Sequence, residues 1–380
     1  MKFLLIYVPN LRFNNDPYKK YNLYEFATRV TRKNKDNVSN LPLTISAQYG
    51  LVDQVSFFNK TVASKDMSGY YLLKNGEFAY NKSYSNDYPW GAIKRLDLYD
   101  MGCLSTLYIC FKTNDNIVNS NYLVHYFESS KWHKQVADIA GEGARNHGLL
   151  NIVVNDFFNT KHAVPTIENQ IKIAGFLDLI EKRIQTQIKI IDTLSSQKKQ
   201  IRNLIFKDIH KNANCCIQDY VIYEQPQKYI VHSTDYLSYG KDYTPVLTAN
   251  QSFILGYTLE KDGIYEKGDC IIFDDFTNEN KYVDFPFKVK SSALKILQTK
   301  EGLMLKFFYE YLQFLNFEST DHKRHYLSEV AVTDISVPNL KEQTFVCKIF
   351  TSFDNKLKNE EALLEKYRLQ KQFFLNNLFI

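Results

Sequence analysis

The chain has 380 residues, 44% of them hydrophobic and 15% aromatic, with 47 basic against 42 acidic side chains and a formal net charge of +5. That composition supports ordinary globular cores, leaves room for two or three domains and excludes a disordered or collagen-like chain. A charge of this size permits a nucleic-acid partner without demanding one. No apolar run approaches the 18 or more residues of a membrane span. The opening MKFLLIYVPN holds an apolar run of about six residues and no small-residue cleavage site, so it is not read as a signal peptide. Cys103, Cys110, Cys215, Cys216, Cys270 and Cys347 stand neither in C-x-x-C pairs nor at zinc spacing, and they read as reduced, buried thiols of a cytoplasmic protein.

Residues 1–45 are mixed, and Thr28 to Asn37 reads as a basic, polar loop after a short helix. From Thr44 to about Asn159 the text is strand-like, with short apolar runs such as Gly76 to Tyr80 and Leu104 to Ile109 broken by Gly, Asn, Asp and Ser. Ser120 to Phe127 is a candidate helix. The stretch from Val164-Pro165 to Phe206 has no further proline and one glycine, Gly175. Its apolar residues recur at heptad spacing: Leu177, Ile184, Ile191 and Ile205 on one set of positions, Ile180, Leu194 and Ile201 on the other. That predicts one helix of about 40 residues, roughly 60 Å long. Residues 208–336 return to strand-like text, with Cys270 to Phe273 as a buried strand and Leu303 to Phe317 as a buried helix. A second long helix, 337–380, ends the sequence.

The second long helix repeats the first. Offset by 173 residues, the two align without a gap, with Val164/Val337, Pro165/Pro338, Gln170/Gln343, Gln197/Gln370, Lys198/Lys371, Asn203/Asn376 and Phe206/Phe379 identical. Phe350, Phe353, Leu357, Leu364, Tyr367, Phe374 and Leu378 occupy the matching heptad positions, and even the polar interruptions coincide, Gln187 with Glu360 and Lys198 with Lys371. Polar residues in a seam set register and partner choice at some cost in stability. The mixed regions echo each other faintly. Gly76-Glu77 before an apolar strand resembles Gly268-Asp269, Ser105 to Ile109 resembles Ser292 to Ile296, and Arg145-Asn146-His147 precedes its helix as Arg324-His325-Tyr326 does. The predicted fold is α+β with an internal repeat: a globular domain over 1–163, a long helix over 164–207, a second globular domain over 208–336 and a C-terminal long helix over 337–380, the heptads predicting that the two helices pair.

These residues resemble the specificity subunit of a type I restriction-modification system. The likeness covers nearly the whole chain and is strongest in the two Val-Pro-to-Phe helices with Gln197-Lys198-Lys199 and Gln370-Lys371-Gln372 near their ends. Phe78 to Ser83, Gly141 to Gly148 and His322 to Ser328 look like parts of the family's target-recognition domains. The usual Glu-Gln at the helix start is Asn169-Gln170 in the first copy and intact, Glu342-Gln343, in the second. The resemblance implies that the two long helices pair antiparallel as a coiled-coil spacer between domains related by a pseudo-twofold, and that each globular domain reads one half of a bipartite, asymmetric site in double-stranded DNA. It implies a non-catalytic chain that recruits two methyltransferase subunits and two restriction/translocase subunits. S-adenosylmethionine, ATP and Mg would be bound by those partners, no cofactor by this chain, and the resulting DNA methylation would fall on adenine.

Loops rich in Asn, Ser, Lys and Arg can reach phosphates and base edges, where phosphate contacts position and base contacts specify. The candidates are Lys82, Ser83, Tyr84, Lys94, Arg95, Arg145, Asn146 and His147 in the first domain, and Lys288, Lys290, Ser291, Ser292, Lys323, Arg324 and His325 in the second. Against each stands the plainer reading of a solvated charge or a structural histidine. The alternative function, a self-contained or fused restriction enzyme or DNA methyltransferase with its own catalytic centre, finds little support. Asp87-Tyr88-Pro89-Trp90 and Asp284-Phe285-Pro286-Phe287 each carry one proline where a base-holding element carries two. No G-x-G-x-x-G or Walker A element occurs, and Glu279-Asn280-Lys281 after Asp274-Asp275 lacks a flanking nuclease pattern. No catalytic or metal-binding residue is assigned.

Overall fold

A computed structural model describes residues 18–380 apart from 47–48, 61, 86–87, 142–147, 241, 250–251 and 318–323, so the N-terminal MKFLLIYVPN lies outside the described residues. The chain divides into two compact units, Met1–Gln187 with Leu363–Ile380, and Ile188–Ala362. This division cuts both long helices. Each unit takes one globular domain, the N-terminal half of the helix that follows it and the C-terminal half of the other, whereas the sequence boundaries at 163, 207 and 336 treat each helix as a segment of its own.

The central helix runs Ile167–His210 and the C-terminal helix Leu340–Leu378. In the first unit Phe176 meets Phe374 edge-on at 4.8 Å and Lys371 pairs with Glu181 at 2.7 Å, so the two helix halves run antiparallel. In the second unit Lys198 pairs with Asp354 at 2.6 Å and Phe206 stacks near Phe350, again antiparallel. Leu177, Ile180, Ile184, Leu194, Phe350 and Leu364 are buried. Ile191, Ile201, Phe353, Leu357, Tyr367 and Phe374 are half-buried. The stripe is what a heptad pattern yields when pairing removes it from water.

The glutamine common to both helix starts has a structural task. Gln170 is fully buried; its Oε1 accepts from Asn119 N at 2.7 Å and its Nε2 donates to Pro165 O at 2.8 Å. Gln343, equally buried, accepts from Met304 N at 2.7 Å and donates to Pro338 O and Gly302 O. Each therefore closes orphan backbone groups at its own helix start and at the start of a helix in the globular domain, Ser120–Glu128 or Leu305–Leu315.

The two domains share a topology. In the first, an antiparallel sheet has the order Ala27–Arg29, Ile109–Thr113, Phe78–Asn81, Ala92–Arg95. In the second the order is Val221–Glu224, Leu294–Thr299, Cys270–Asp274, Asn280–Val283. Each first strand follows a one-turn helix, and each second strand leads to the helix that the buried glutamine holds. A short antiparallel pair precedes each long helix, Lys19–Asn22 with Lys161–Val164 and Cys215–Cys216 with Asp334–Ile335. The glycines Gly76 and Gly268, at φ 80° and 90°, turn the chain into equivalent strands, as glycine can without a Cβ penalty. The second unit adds a three-stranded sheet, Ile254–Thr258, Thr244–Leu247 and Lys288–Val289, the last two parallel.

Some sequence expectations need correction. Leu104 to Ile109 is not one strand. Leu104 closes Met101–Leu104, Ser105 to Tyr108 turn, and Ile109 opens the next strand, which leaves Leu107 58% exposed. The suggested match of Leu107 with Leu294 therefore fails, since Leu294 is buried in its strand. The helix read as Leu303 to Phe317 is Leu305–Leu315, ended by Asn316 in the left-handed conformation (φ 47°).

The first unit's core is aromatic. Phe78 stacks on Phe111 at 5.3 Å and Tyr80 on Phe157 at 5.0 Å, with Tyr126, Phe127 and Trp132 packed edge-on around them. Within it His162 is 2% exposed, its Nδ1 at 2.9 Å from the Tyr126 hydroxyl and its Nε2 at 2.8 Å from the Thr160 hydroxyl. Burial lowers its pKa to about 4 from 6.5. The unfolded chain then takes up this proton near pH 6.5 and the folded chain not until about pH 4, so stability is full above the first value and lost between the two, by about 3 kcal/mol. His162→Gln is expected to flatten the fall of the first unit's Tm over that interval; an unchanged slope contradicts a neutral, buried imidazole.

Candidate nucleic-acid interface

In the first unit the middle strand of the sheet continues past Asn81 into the candidate residues. Ser83 bridges Leu149, Lys82 O accepts from Leu150 N at 2.9 Å, and Tyr84 N donates to Gly148 O at 3.1 Å. Two segments more than sixty residues apart in sequence thus form one edge. Gly148 turns at φ 71° beside the Tyr84 ring, which is 48% exposed. Arg145, Asn146 and His147 lie outside the described residues, immediately before this edge.

Lys94 and Arg95 are engaged by the fold. Lys94 is half-buried with its ammonium 3.4 Å from Glu128. Arg95 Nε binds Asp97 at 2.7 Å, and its Nη1 donates to Ser120 Oγ and Asn121 Oδ1 at 2.9 and 2.8 Å. Both charges hold the sheet to the helix Ser120–Glu128, so neither is a free cation for phosphate.

In the second unit the residue after the middle strand plays the joining part. Asp275 N donates to Ala293 O at 3.1 Å, while its carbonyl accepts from His325 N and its Oδ1 from Tyr326 N, both at 2.9 Å. Its Oδ2 faces the Lys295 ammonium at 3.1 Å. One buried aspartate thereby ties the backbone just after the exposed run Lys290-Ser291-Ser292 to the backbone just after exposed Arg324, whose guanidinium lies 5.7 Å from the Phe276 ring. Asp274 and Asp275 directly follow the run Cys270 to Phe273 that the sequence marks as a buried strand, and that was the available signal. Their carboxylates serve the fold, since Asp274 Oδ1 accepts from Phe276 N and Thr277 N. Lys323 lies outside the described residues.

Two further candidates in this unit are corrected. Lys288 is fully buried, its ammonium 2.7 Å from Glu260 and 2.7 Å from Asp262 O. A buried ion pair of this kind cannot be opened toward DNA without leaving a charge unpaired. His325 is 2% exposed with Nδ1 at 3.1 Å from Glu329, a structural histidine. His232, Glu260 and Asp262 bring three potential metal ligands together, but the Lys288 ammonium already holds the cation's place at Glu260.

Two groups of candidates remain: Lys82-Ser83-Tyr84 with the 148–150 segment, past the strand Phe78–Asn81, and in the other unit Lys290-Ser291-Ser292, between Lys288–Val289 and Leu294–Thr299, with Arg324. They offer ammonium, guanidinium, hydroxyl and aromatic groups on loops set by rigid strands, the chemistry of phosphate positioning and base-edge reading.

No protein-family model matches the chain. The architecture is that of type I specificity subunits: it superposes on the S subunit of a type I restriction-modification system from M. genitalium with a TM-score of 0.57 over 97% of each chain, at 15% identity. A chain from a structure on complex assembly and conformational transition of the type I R-M system gives a TM-score of 0.55, at 13% identity over 94% of this chain and 96% of that one. In sequence, 170 residues are 39% identical to the specificity subunit of the type I restriction enzyme EcoR124I/EcoR124II of Escherichia coli. That match takes in 41% of this chain and 41% of the relative's own length. The resemblance read from the sequence is borne out, and so is the α+β layout of two globular domains with two long helices.

Neutralising Lys290 and Arg324 together is expected to weaken DNA binding and to flatten the plot of log K against log salt by about 0.9 for each phosphate that is no longer neutralised. An unchanged salt slope would remove this edge from the interface.

Proposed function

We propose that the chain is the DNA-reading specificity subunit of a type I restriction-modification complex. Each globular domain reads one half of a bipartite, asymmetric site, and catalysis resides in recruited methyltransferase and restriction/translocase subunits. The observation that carries this reading is the duplicated architecture. Two domains of one topology, each with its own exposed polar edge and each set on a shared helix pair by an equivalent glutamine, differ in the residues that the edges present. A pair of readers with different side chains suits two different half-sites, much as dimeric readers with identical side chains suit palindromes. The extended identity to the Escherichia coli specificity subunit and the shared fold support the same assignment. S-adenosylmethionine, ATP and Mg belong to the partner subunits in this scheme, and this chain contributes recognition alone. Among the described residues no helix is long and apolar enough to cross a membrane, in keeping with a DNA-bound role.

Co-expression with its cognate methyltransferase subunit, followed by mapping of modified adenine, is expected to show one split, asymmetric site. Methyl transfer by this chain alone, given S-adenosylmethionine and DNA, contradicts the assignment.

A further inference from the structure

The heptad seam is interrupted by a lysine at the same place in both copies, Lys198 and Lys371, and is flanked by an acid at the same place in both, Glu181 and Asp354, each pair offset by 173 residues. In the first unit Lys371 lies 2.7 Å from Glu181 on the opposite helix and 2.9 Å from Glu128, the last residue of the domain helix Ser120–Glu128. In the second unit Lys198 lies 2.6 Å from Asp354 on the opposite helix and 3.2 Å from Glu310 of the domain helix Leu305–Leu315. One ammonium thus joins three elements in each unit: its own helix, the antiparallel helix and the globular domain. A lysine of the domain completes each group, Lys94 at 3.4 Å from Glu128 and Lys306 at 3.2 Å from Glu310 and 2.6 Å from Asp354. Arg202 adds a two-pronged contact to Glu310, at 2.9 and 2.7 Å.

The lysines and the domain carboxylates of these groups are largely removed from water, while Glu181 and Asp354 stand at the margin, 36% and 37% exposed. Glu310 is fully buried, and the side chains of Lys198 and Lys371 are 13% and 18% exposed. Burial opposes ionisation of Glu128, yet the His125 ring 3.7 Å away and the charges of Lys371 and Lys94 outweigh it and hold the carboxyl well below the usual carboxylate range. Apolar contacts between domain and helices tolerate a slide or a tilt, because they are non-directional. A buried charge does not, since any displacement that parts it from its counter-ion leaves it uncompensated in a poor solvent for ions.

We propose that Lys371 and Lys198 are positioning residues for DNA reading, each fixing the orientation of its own recognition domain on the helix pair and with it the discrimination of that unit's half-site. The inference rests on the DNA-reading assignment above. Neither lysine touches DNA; each acts through the carboxylate of its domain, Glu128 or Glu310.

The test uses the assembled methyltransferase complex and a duplex library randomised in one half-site at a time. Lys198→Gln is expected to reduce discrimination at the second half-site by about tenfold, the scale of losing one base preference, while the first half-site is read as in the parent. Lys371→Gln is expected to do the reverse. A variant that only loosened the fold would lower activity without separating the two halves. Equal loss at both halves, or no loss at either in a folded complex, overturns the proposal. Should Lys198→Gln fail to fold, Lys198→Arg keeps the charge and changes its geometry. Its expected result is the same one-sided loss, and wild-type discrimination at both halves overturns the proposal. If the unaltered complex discriminates at neither half-site, the DNA-reading assignment itself fails, a result distinct from any of these.

Discussion

The structure depends on one constraint: two helices, each with an apolar stripe too long to leave in water, bury those stripes by pairing antiparallel within each unit. Each helix is one element in the chain but serves two units, giving its N-terminal half to one and its C-terminal half to the other. The stripe supplies the attraction and the polar interruptions supply the register. Gln170 and Gln343 close the helix starts against the domains, and the lysine–carboxylate groups fix a point further along. Apolar area alone would bind the elements without choosing among similar slides, so the division of labour between seam and charges follows from their physics.

On that frame each domain repeats a four-stranded sheet that carries the exposed residues proposed to meet DNA, past Phe78–Asn81 in the first unit and just before Leu294–Thr299 in the second. The edge is built by backbone ladders in the first unit and by one buried aspartate in the second. Different local means hold the two edges, which leaves the side chains on each edge free to differ. That freedom is what a bipartite, asymmetric target requires of its two readers.

Much of this was legible in the residues. The helices announced themselves because heptad spacing sustained over some forty positions fits a long paired helix and little else, and the offset repeat of Gln170, Lys198 and Pro165 marked the duplication. The candidate contacts were less legible, for a physical reason. Composition identifies lysine and arginine but not their counter-ions, so Lys94, Arg95 and Lys288 looked like free cations until Glu128, Asp97 and Glu260 were seen beside them. Asp275 was missed as an organiser because its partners, Ala293, Lys295, His325 and Tyr326, come from segments that only the fold assembles. The turn at Ser105 to Tyr108 was read as strand because a run rich in apolar residues does not show where the chain reverses.

The central claim is that two separate readers, one in each unit, engage one stretch of duplex. Hydroxyl-radical footprinting of the methyltransferase-bound chain on its modified site tests it most directly. The account predicts two protected base clusters divided by bases that tolerate any substitution. A single uninterrupted cluster of required bases would contradict it.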